Sequence, residues 1–599
     1  MGQRSTRIRG PLGRILAAVL LGTLAAAGCG PRGNVVTEVG ATGGTPVRGG
    51  TATMALPPAS TPNWIFPIGA PGFLATYNSA LQSLLFLRLF TPGEKGGALT
   101  MESPHNLAEA PRYSDGNKTV SITLKKGYAW SDGKPVTARD VKFWFTLIKH
   151  NKEDWAGYAP KLMPDDVKAF EIVDARTFRL RLDRAYNPAW FTANELENFV
   201  ALPEHAWNPR HEGPKKAFAR LMHHARQFSE FGTDPLWKTV NGPWTIEKWS
   251  TSGQVSLVPN KKYRGPDTPH LDRVVFKPFT TADSEFNVLR AGGVDYGYIP
   301  PSVMAQASKF RERGYRIDPW EGWAVTYIVL NFHHPTAGPL LRQAYLRQAL
   351  QHLIDQKAIS EVVWHGSATP TLGPVPAALM DDNPFPYDPK KARALLTAHG
   401  WSDHGGTLRC TRPGRAAGEC GAGIKHGQEL RLSLLSQSGS TETSNTMQAV
   451  KSDFDKAGVA LDIRQQPLNT VLGTTVPCKE TEPACAQWQL GFFGTQGSWY
   501  FPADPSGEQI FATDAPSNMG NWSSPKTDRL IRATEYSDDP AAMRDYGREV
   551  ARQLPVLWTP NPAYQVSAIR NDLRGVDQNP TLTLAPQDWY FVKRGGAGK

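Results

Sequence analysis

The residues best suited to contact a ligand lie in one segment, 488–504, which reads WQLGFFGTQGSWYFPAD. This aromatic segment combines small residues with several aromatic side chains and a terminal acid. Aromatic rings present large apolar faces, and ligand pockets are lined mainly by such groups together with a few polar ones. The sequence therefore predicts a wall against which a ligand stacks, with the alternative that the rings fill a hydrophobic core. The aromatic residues concerned are Phe492, Phe493, Trp499, Tyr500 and Phe501.

The sequence contains no familiar catalytic pattern. It lacks a GxSxG nucleophile elbow, an HExxH zinc motif and a phosphate-binding P-loop. Adjacent histidines or aspartates occur, but neighbouring side chains diverge on a helix or strand and make poor bidentate metal sites. We expect surface histidines, caps or solvated turns for the aspartates, no metal site, no cofactor and no enzymatic activity. The pairs are His223 with His224, His333 with His334, Asp165 with Asp166, and Asp381 with Asp382.

Length and charge narrow the class of protein further. With 599 residues the chain is longer than one ordinary hydrophobic core, so two or more lobes are expected. The formal net charge is +11, and the basic residues are scattered rather than clustered. Because a nucleic-acid-binding surface concentrates its positive charge, no nucleic-acid partner is expected.

The N-terminus predicts export. Four arginines precede a short apolar run from 15 to 27, which is the arrangement of a signal peptide and is too short to span a membrane. The run ends in small residues before Cys29, a pattern that resembles the lipidation site of bacterial lipoproteins, although Ala26 replaces the usual leucine. Conventional cleavage near Cys29 is the alternative. Residues 1–28 are thus predicted to be a signal peptide, and 29–49 a lipidated flexible tether.

Four further cysteines lie in two close pairs. Cys410 and Cys420 are ten residues apart, and Cys478 and Cys485 are seven residues apart. These spacings fit neither a redox-active CxxC motif nor a common zinc site. Because exported proteins meet an oxidising compartment, we expect two local disulfides, each between sequence neighbours.

Residues 122–141, reading ITLKKGYAWSDGKPVTARDV, predict a strand, a turn and a helix in succession. Apolar and polar residues alternate from 120 to 125, which is typical of a strand with one buried face. Asp132 followed by glycine favours a turn, because the Asp side chain can accept a hydrogen bond from the backbone two residues on. Thr137, with Asp140 three residues later, predicts a helix N-terminus.

The same stretch closely resembles the LRKGVKWSDGKPVTADDV motif of the family 5 extracellular solute-binding proteins, the dipeptide, oligopeptide and nickel receptors of ABC importers. Further blocks follow in the order of that family from about residue 50 to about residue 592. Residues 241–263 are similar to its GTGPYxLkeW hairpin, residues 327–359 to its lgfNt…vRqAlayAIDReaI block, and residues 387–401 to its yDpekAkaLLaeAGw helix.

This resemblance implies an α/β fold with two lobes, that of the large, peptide-type class II periplasmic binding proteins, with an extra subdomain in the first lobe. The first lobe is predicted to comprise residues 50–76, 226–325 and 561–599. The extra subdomain is predicted at 77–225, and the second lobe at 326–560.

The resemblance also implies where a peptide would bind. In peptide-binding members a W-x-x-DYxDP stretch occupies the place of the aromatic segment, and its first Asp binds the α-amino group of the peptide. Here Asp504 matches the final Asp, whereas Phe501 replaces the amine-binding Asp and Trp499 is displaced by one position. Because a buried ammonium needs an opposing charge, a free-amine peptide is a less secure ligand unless Asp504 substitutes.

Two further residues are predicted to contact the ligand. Tyr327 and Asn331 lie in the block that lines the cleft in family members. The alternative for both residues is a structural role, in which their hydrogen bonds hold the hinge strand in place. The predicted ligand-binding residues are Tyr327, Asn331, Trp499, Tyr500, Phe501 and Asp504.

The function implied by the resemblance is that of the extracytoplasmic substrate-binding component of an ABC importer. Such a protein captures a peptide or peptide-like solute by hinge closure and presents it to the permease. We expect a monomer that is exported and lipid-anchored through Cys29 to the outer face of the cytoplasmic membrane. The alternatives are a metal chelate, haem or an oligosaccharide as ligand, a lipoprotein that senses without transport, and a secreted hydrolase.

Overall fold

The computed structural model of the chain describes residues 45–593, apart from 58, 59, 71, 72, 74, 96, 97, 267, 381 and 404. The predicted signal peptide, the predicted lipidation site Cys29 and most of the predicted tether lie outside the described residues. Within the described part of the chain, no helix is both long enough and apolar enough to cross a bilayer.

Strands and helices are distributed along the whole described chain. The strands are β1 (Pro46–Val47), β2 (Thr51–Ala55), β3 (Gly93–Lys95), β4 (Ala98–Thr100), β5 (Arg112–Ser114), β6 (Thr119–Thr123), β7 (Val167–Ile172), β8 (Thr177–Leu182), β9 (Trp244–Trp249), β10 (Val255–Pro259), β11 (Arg273–Lys277), β12 (Tyr296–Tyr298), β13 (Tyr315–Trp320), β14 (Ala324–Val325), β15 (Tyr327–Leu330), β16 (Ala368–Thr369), β17 (Trp401–Asp403), β18 (Leu408–Cys410), β19 (Arg431–Gln437), β20 (Ala460–Gln466), β21 (Leu490–Phe492), β22 (Trp499–Tyr500), β23 (Val556–Trp558), β24 (Asn561–Pro562), β25 (Gln565–Arg570), β26 (Leu573–Arg574) and β27 (Tyr590–Val592). The α-helices are α1 (Thr76–Leu85), α2 (Ala138–His150), α3 (Pro188–Trp190), α4 (Glu204–Trp207), α5 (Pro214–Ala225), α6 (Ala282–Arg290), α7 (Ala307–Glu312), α8 (Gly338–Leu341), α9 (Ala344–Gln351), α10 (Gln356–Ala358), α11 (Pro389–Ala398), α12 (Thr441–Lys456), α13 (Leu468–Thr474), α14 (Pro525–Tyr536) and α15 (Ala541–Gln553).

The largest sheet has seven strands in the order β13-β25-β12-β2-β11-β10-β9. Strand β2 runs parallel to both of its neighbours, β11 and β12, whereas the other neighbouring pairs are antiparallel. The sheet thus draws its strands from three separate parts of the chain. All three lie inside the ranges predicted for the first lobe, whose exact boundaries stay a prediction.

A second mixed sheet has five strands in the order β20-β19-β21-β15-β23, all from the range predicted for the second lobe. Its two faces carry different cores, as the two-residue repeat of a strand requires. In β15, Ile328 and Leu330 belong to one buried cluster, and Tyr327 and Val329 belong to the other. An antiparallel four-stranded sheet, β5-β6-β8-β7, lies within the range predicted for the extra subdomain.

The predicted strand, turn and helix of residues 122–141 are confirmed. Strand β6 leads into a turn in which the Lys134 N–H donates to the Asp132 carboxylate at 3.0 Å, and Gly133 has a φ of +93°. Helix α2 then begins after Thr137, whose N–H donates to Asp140 Oδ2 at 2.7 Å. The Asp140 side chain thus satisfies a backbone donor at the helix N-terminus, as the acidic residue of a capping box does.

Both predicted disulfides are present, Cys410 with Cys420 and Cys478 with Cys485. The first closes the loop that follows strand β18. The second closes a short loop that carries several hydrogen bonds to the end of β15, as described below.

The expectation that the adjacent histidines and aspartates lie at the surface is wrong for two of them. His334 is buried, and its Nδ1 accepts the N–H of Ala337 at 3.0 Å at the beginning of helix α8. Asp166 is 1% exposed, and neither carboxylate oxygen has a hydrogen-bond partner among the described residues. Its neighbour Asp165 forms an exposed ion pair with Lys152 at 2.7 Å, as a surface aspartate would. Asp381, the first member of the other pair, lies outside the described residues.

Candidate functional site

Two chain segments connect the seven-stranded sheet to the five-stranded sheet. One runs from β13 to β15 through residues 321–326, and the other runs from β23 to β25 through residues 559–564. They lie side by side, because the Thr559 N–H donates to the Thr326 carbonyl at 3.0 Å and the Tyr564 N–H donates to the Trp320 carbonyl at 2.8 Å. Hinges between lobes consist of a few such connecting residues, and we call this pair of segments the hinge.

The aromatic segment is attached to this connection. Strand β22 pairs antiparallel with β14, so that Tyr500 faces Ala324 and Trp499 faces Val325. The Phe501 N–H also donates to the Trp323 carbonyl at 2.9 Å. The predicted recognition residues therefore lie at the boundary between the sheets.

Tyr500 is the predicted site residue that contacts both connecting segments. Its ring meets the ring of Tyr564 edge-on, with 6.3 Å between the centroids. A Cβ atom on Gly322 would lie 2.6 Å from Tyr500 Cε1, so the close approach of this ring requires glycine. The Tyr500 hydroxyl donates to the Gln496 carbonyl, and burial raises the pKa of the phenol well above its usual value, with added contributions from Tyr564 and Glu321.

The other aromatic residues of the segment divide between the wall and the core. Phe492, Phe493 and Phe501 are buried in the clusters on the two faces of the five-stranded sheet. Trp499 is half-buried, like Tyr500, and packs against the edge of one cluster. The alternative of core packing thus describes the three phenylalanines, and the position expected to carry an amine-binding Asp is occupied by a ring that supplies no charge.

Asp504 lies three residues further along and is half-buried. Its Oδ1 is buried and has no hydrogen-bond partner among the described residues. Burial, and then the nearby Glu508 carboxylate, raise the pKa of Asp504 to about 7. A carboxylate oxygen without a donor is costly in a protein interior, so this atom is suited to accept a hydrogen bond from a ligand or to carry a proton.

Asn331 and Tyr327 are both fully enclosed by protein. The Asn331 Nδ2 donates to the carbonyls of Cys485 and Trp488 at 3.0 and 2.9 Å, and its Oδ1 accepts the His333 N–H at 3.1 Å. These bonds tie the end of β15 to the loop of the second disulfide, which favours the structural alternative for Asn331. Tyr327 packs edge-on against Trp558 at 6.1 Å, and burial raises the pKa of its phenol.

A small cavity of about 20 Å³ adjoins this boundary in the seven-stranded sheet. It lies at the carboxyl ends of β2 and β11 and is walled by Tyr564 and Trp320. This is the edge of an α/β sheet at which ligands commonly bind. In this conformation the cavity has room for about one water molecule.

The described residues hold no group of three or more histidine, cysteine, aspartate or glutamate side chains arranged to bind a metal ion. The model for the middle part of the bacterial extracellular solute-binding proteins, family 5, matches residues 104–517 of the chain.

The chain belongs to this family.

Individual relatives share about a quarter of their aligned residues with this solute-binding protein. Protein XP55 of Streptomyces lividans is 25% identical over 464 residues, which cover 75% of this chain and 74% of that protein. A Brucella abortus protein that bears the name ABC transporter peptide-binding protein is 26% identical over 301 residues, which cover 49% of this chain and 51% of the relative. The chain therefore aligns with about half the length of the Brucella protein.

Solved structures share the two-lobed fold of the solute-binding protein. The oligopeptide-binding protein AppA of Bacillus subtilis, in complex with a nonapeptide, has a TM-score of 0.71 at 19% identity, covering 92% of this chain and 100% of AppA. NikZ of Campylobacter jejuni, in complex with Ni(L-His), has a TM-score of 0.66 at 18% identity, covering 90% of this chain and 99% of NikZ. At these identities the likeness concerns the fold, and the predicted two-lobed α/β class is confirmed.

Sequence reasoning missed one group of buried polar residues in the solute-binding protein. Trp190 and Asn194, from the range predicted for the extra subdomain, form hydrogen bonds with Ser506, just beyond the aromatic segment. The sequence offers no local signal for such a pairing, because more than 300 residues separate its two sides.

Proposed function

We propose that this protein captures a peptide or a peptide-like solute between its two lobes by hinge closure and delivers it to an ABC permease. The observation that carries the proposal is the family match, since family 5 consists of extracellular solute-binding proteins and the match covers residues 104–517. The Brucella relative, named for ABC transport and peptide binding, supports the same function. Because the matched proteins bind solutes, we assign no catalytic step.

The geometry at the hinge supports a stacking contact with the solute. Tyr500 and Trp499 are half-buried on a strand that pairs with one of the two connecting segments. A ligand held there would be sandwiched as the sheets approach, and aromatic faces gain both apolar burial and favourable ring contacts. We therefore retain Trp499 and Tyr500 as proposed ligand contacts.

Recognition of a ligand amine would depend on Asp504. Phe501 is buried in the core and carries no charge, whereas Asp504 has a buried carboxylate oxygen without a donor among the described residues. An ammonium group there would supply hydrogen bonds and an opposing charge, and charge-assisted bonds of this kind are strong. Tyr327 and Asn331 are buried, so we expect them to stabilise the five-stranded sheet rather than to contact an amine.

A non-peptide ligand is the second candidate. The loss of the usual amine-binding Asp at Phe501 favours it, and NikZ, which has the same fold, was solved with Ni(L-His). A metal chelate, haem or an oligosaccharide would each be held through the same aromatic wall. A sensing lipoprotein without transport is a further alternative, and the presence of permease and ATPase genes beside its own gene would argue against it.

We also propose that the protein is exported and anchored by a lipid on Cys29 to the outer face of the cytoplasmic membrane, as a monomer. The short apolar run and the small residues before Cys29 support this. Labelling of growing cells with a radioactive fatty acid should mark the wild-type protein and leave Cys29→Ala unmarked. Labelling of both proteins, or of neither, would contradict the anchor at Cys29.

The ligand class can be tested directly on purified protein. Denaturation of protein isolated from its native host should release a peptide or peptide-like compound that mass spectrometry identifies. Release of haem, a metal chelate or a sugar would instead establish the second candidate.

A further inference from the structure

Four buried residues join two distant parts of the chain, and we call them the latch. They are Trp190, Asn194, Ser506 and Glu508. Ser506 Oγ accepts the Trp190 indole N–H at 2.8 Å and an Asn194 Nδ2 hydrogen at 2.9 Å, and Asn194 Nδ2 also donates to Glu508 Oε1 at 2.9 Å. The Ser506 hydroxyl donates to the second Glu508 oxygen. The latch therefore links the range predicted for the extra subdomain to the range predicted for the second lobe.

A second contact lies close to the latch and joins the same two parts. The Asn187 N–H donates to the Glu535 carbonyl at 2.9 Å, and its Nδ2 donates to the Ser537 carbonyl at 2.7 Å. The rings of Tyr186 and Tyr536 approach to 5.3 Å between centroids. Neither contact involves the connecting segments 321–326 and 559–564, so separation of the two parts would break both.

The latch is surrounded by acidic groups. Glu508 is near enough to influence the charge of Asp504 on its own segment, Glu195 on the opposite segment, and Glu535 on helix α14. It also influences Tyr546 of helix α15. Glu195 in turn interacts electrostatically with Asp166, and Asp166 with Asp183, Asp165 and the Tyr186 phenol.

Within the described chain, positive charge lies only at the edges of this group, since Lys152 pairs with Asp165 at 2.7 Å and Arg184 pairs with Asp183 at 2.8 Å. Arg184 and Arg532 lie near enough to Glu535 to favour its ionised form, but burial outweighs them and raises the pKa of Glu535 to about 8. Burial likewise raises the pKa values of Glu195, Glu508 and Asp166, and that of Asp504 to about 7. The carboxyl groups of Glu508, Glu195, Asp504 and Asp166 thus lie close together and at least partly buried, with acidic rather than basic neighbours, an arrangement in which ionisation is unfavourable.

Several hydrogen-bond acceptors around the latch lack donors in the part of the chain that the structure describes, although both Glu508 oxygens have one. Among the described residues, Asn194 Oδ1, Asp504 Oδ1 and both carboxylate oxygens of Asp166 have no partner. Ionised carboxylates only accept hydrogen bonds, whereas a protonated carboxyl brings a donor of its own. Protonation would therefore relieve both the mutual repulsion and the shortage of donors.

We propose that the latch is proton-linked, so that closing it takes up protons at the carboxyl groups around Glu508 and opening it releases them. The inference rests on the proposed function only in that the protein opens and closes. The carboxyl groups have ordinary pKa values near 4 when solvated and raised values when the latch is closed. Stabilisation of the closed form is thus fully present below about pH 4 and is lost as the pH rises through the raised values, about 7 for Asp504 and about 8 for Glu535.

The test is the fraction of closed protein, measured without ligand by small-angle X-ray scattering between pH 5 and pH 8.5. Ligand must be absent, because an ammonium group at Asp504 would hold that carboxylate ionised. For each proton taken up on closing, the ratio of closed to open protein should fall by up to about tenfold per pH unit. A ratio that is constant over this range, or that rises with pH, would overturn the proposal.

Three variants separate proton linkage from simple packing. Glu508→Gln keeps the shape and removes the charge, so its closed fraction at pH 8 should exceed that of the wild type and its pH dependence should be shallower. Glu153→Gln, at an exposed site, should match the wild type. Trp190→Phe removes one hydrogen bond and no carboxyl, so it should lower the closed fraction at every pH without changing the slope. A Glu508→Gln profile with the wild-type slope would refute the role of Glu508, and the wild-type profile decides the proposal even if this variant fails to fold. Failure to find any bound peptide would leave this ligand-free profile unchanged, so the two proposals fail separately.

Discussion

The ring of Tyr500 meets the ring of Tyr564 edge-on, with 6.3 Å between their centroids. Tyr564 belongs to one segment that connects the two sheets, and Tyr500 lies on a strand paired with the other. Gln496 strengthens the link, since its Nε2 donates to the Tyr564 carbonyl at 3.0 Å. The aromatic segment is therefore coupled to the hinge, and a ligand that packs on Tyr500 would also stabilise one arrangement of the sheets.

Replacement of Tyr500 should weaken solute binding. We expect Tyr500→Ala to raise the Kd of the co-purified solute about tenfold or more, because an aromatic contact contributes about 0.5–1.5 kcal/mol beyond its buried area. Tyr500→Phe keeps the ring and should stay within about threefold of the wild type. Tyr387→Ala, at an exposed tyrosine, is the matched control. Isothermal titration calorimetry that finds equal affinities for Tyr500→Ala and the control would contradict the role of this ring.

Gly322 should be intolerant of even one added methyl group. In Gly322→Ala the new Cβ would lie 2.6 Å from Tyr500 Cε1, so the ring must move away from the hinge. We expect weaker solute binding and a changed near-ultraviolet circular dichroism signal from the aromatic residues. Gly473→Ala is the control, because no atom lies within 4 Å of the added Cβ there. A Gly322→Ala protein with wild-type affinity and spectrum would show that the ring position is unimportant.

Asp504 should discriminate between free and blocked amines. We expect Asp504→Asn, which removes the charge and keeps the shape, to weaken binding of a free-amine peptide by about tenfold, since hydrogen bonds to charged groups contribute about 1.5–3 kcal/mol. Binding of the N-acetylated form of the same peptide should change little. Parallel titrations of both peptides measure the difference. Equal losses for the two peptides would assign Asp504 a structural role.

Asn331 should matter for stability rather than for recognition. Asn331→Ala removes the hydrogen bonds that Asn331 makes to two buried carbonyls and one partly buried N–H, and we expect it to lower the free energy of unfolding by about 2 kcal/mol or more. Asn571→Ala, at an exposed side chain, should have almost no effect. Chemical denaturation measures both. A stable Asn331→Ala protein that no longer binds its solute would restore Asn331 as a ligand contact.

Local chemistry made several elements predictable from the sequence. The contact between Thr137 and Asp140 could be predicted, and so could the Asp132 turn, because each contact spans only two or three residues. The two disulfides also close short loops. Phe501 shows the limit of such reasoning, because a ring in an aromatic segment can face a ligand or a core, and only its position beside β14 decides between them.

Contacts between distant segments escaped prediction. The hydrogen bonds that join Trp190 and Asn194 to Ser506 and Glu508 depend on how two subdomains meet, and a single sequence carries no record of that geometry. An aspartate pair usually lies at the surface, so the sequence favours a solvated turn for Asp166. Its burial results from the packing of the surrounding chain, and the residues next to it in the sequence do not indicate that burial.

The identity of the bound solute tests the central claim most directly. Protein purified from its native host should be denatured and the released small molecules identified by mass spectrometry, before and after incubation with a mixture of short peptides. We expect a peptide or peptide-like compound to be released in about equimolar amount from at least one of the two samples. Release of a non-peptide ligand, or of no solute from either sample, would contradict the proposed function.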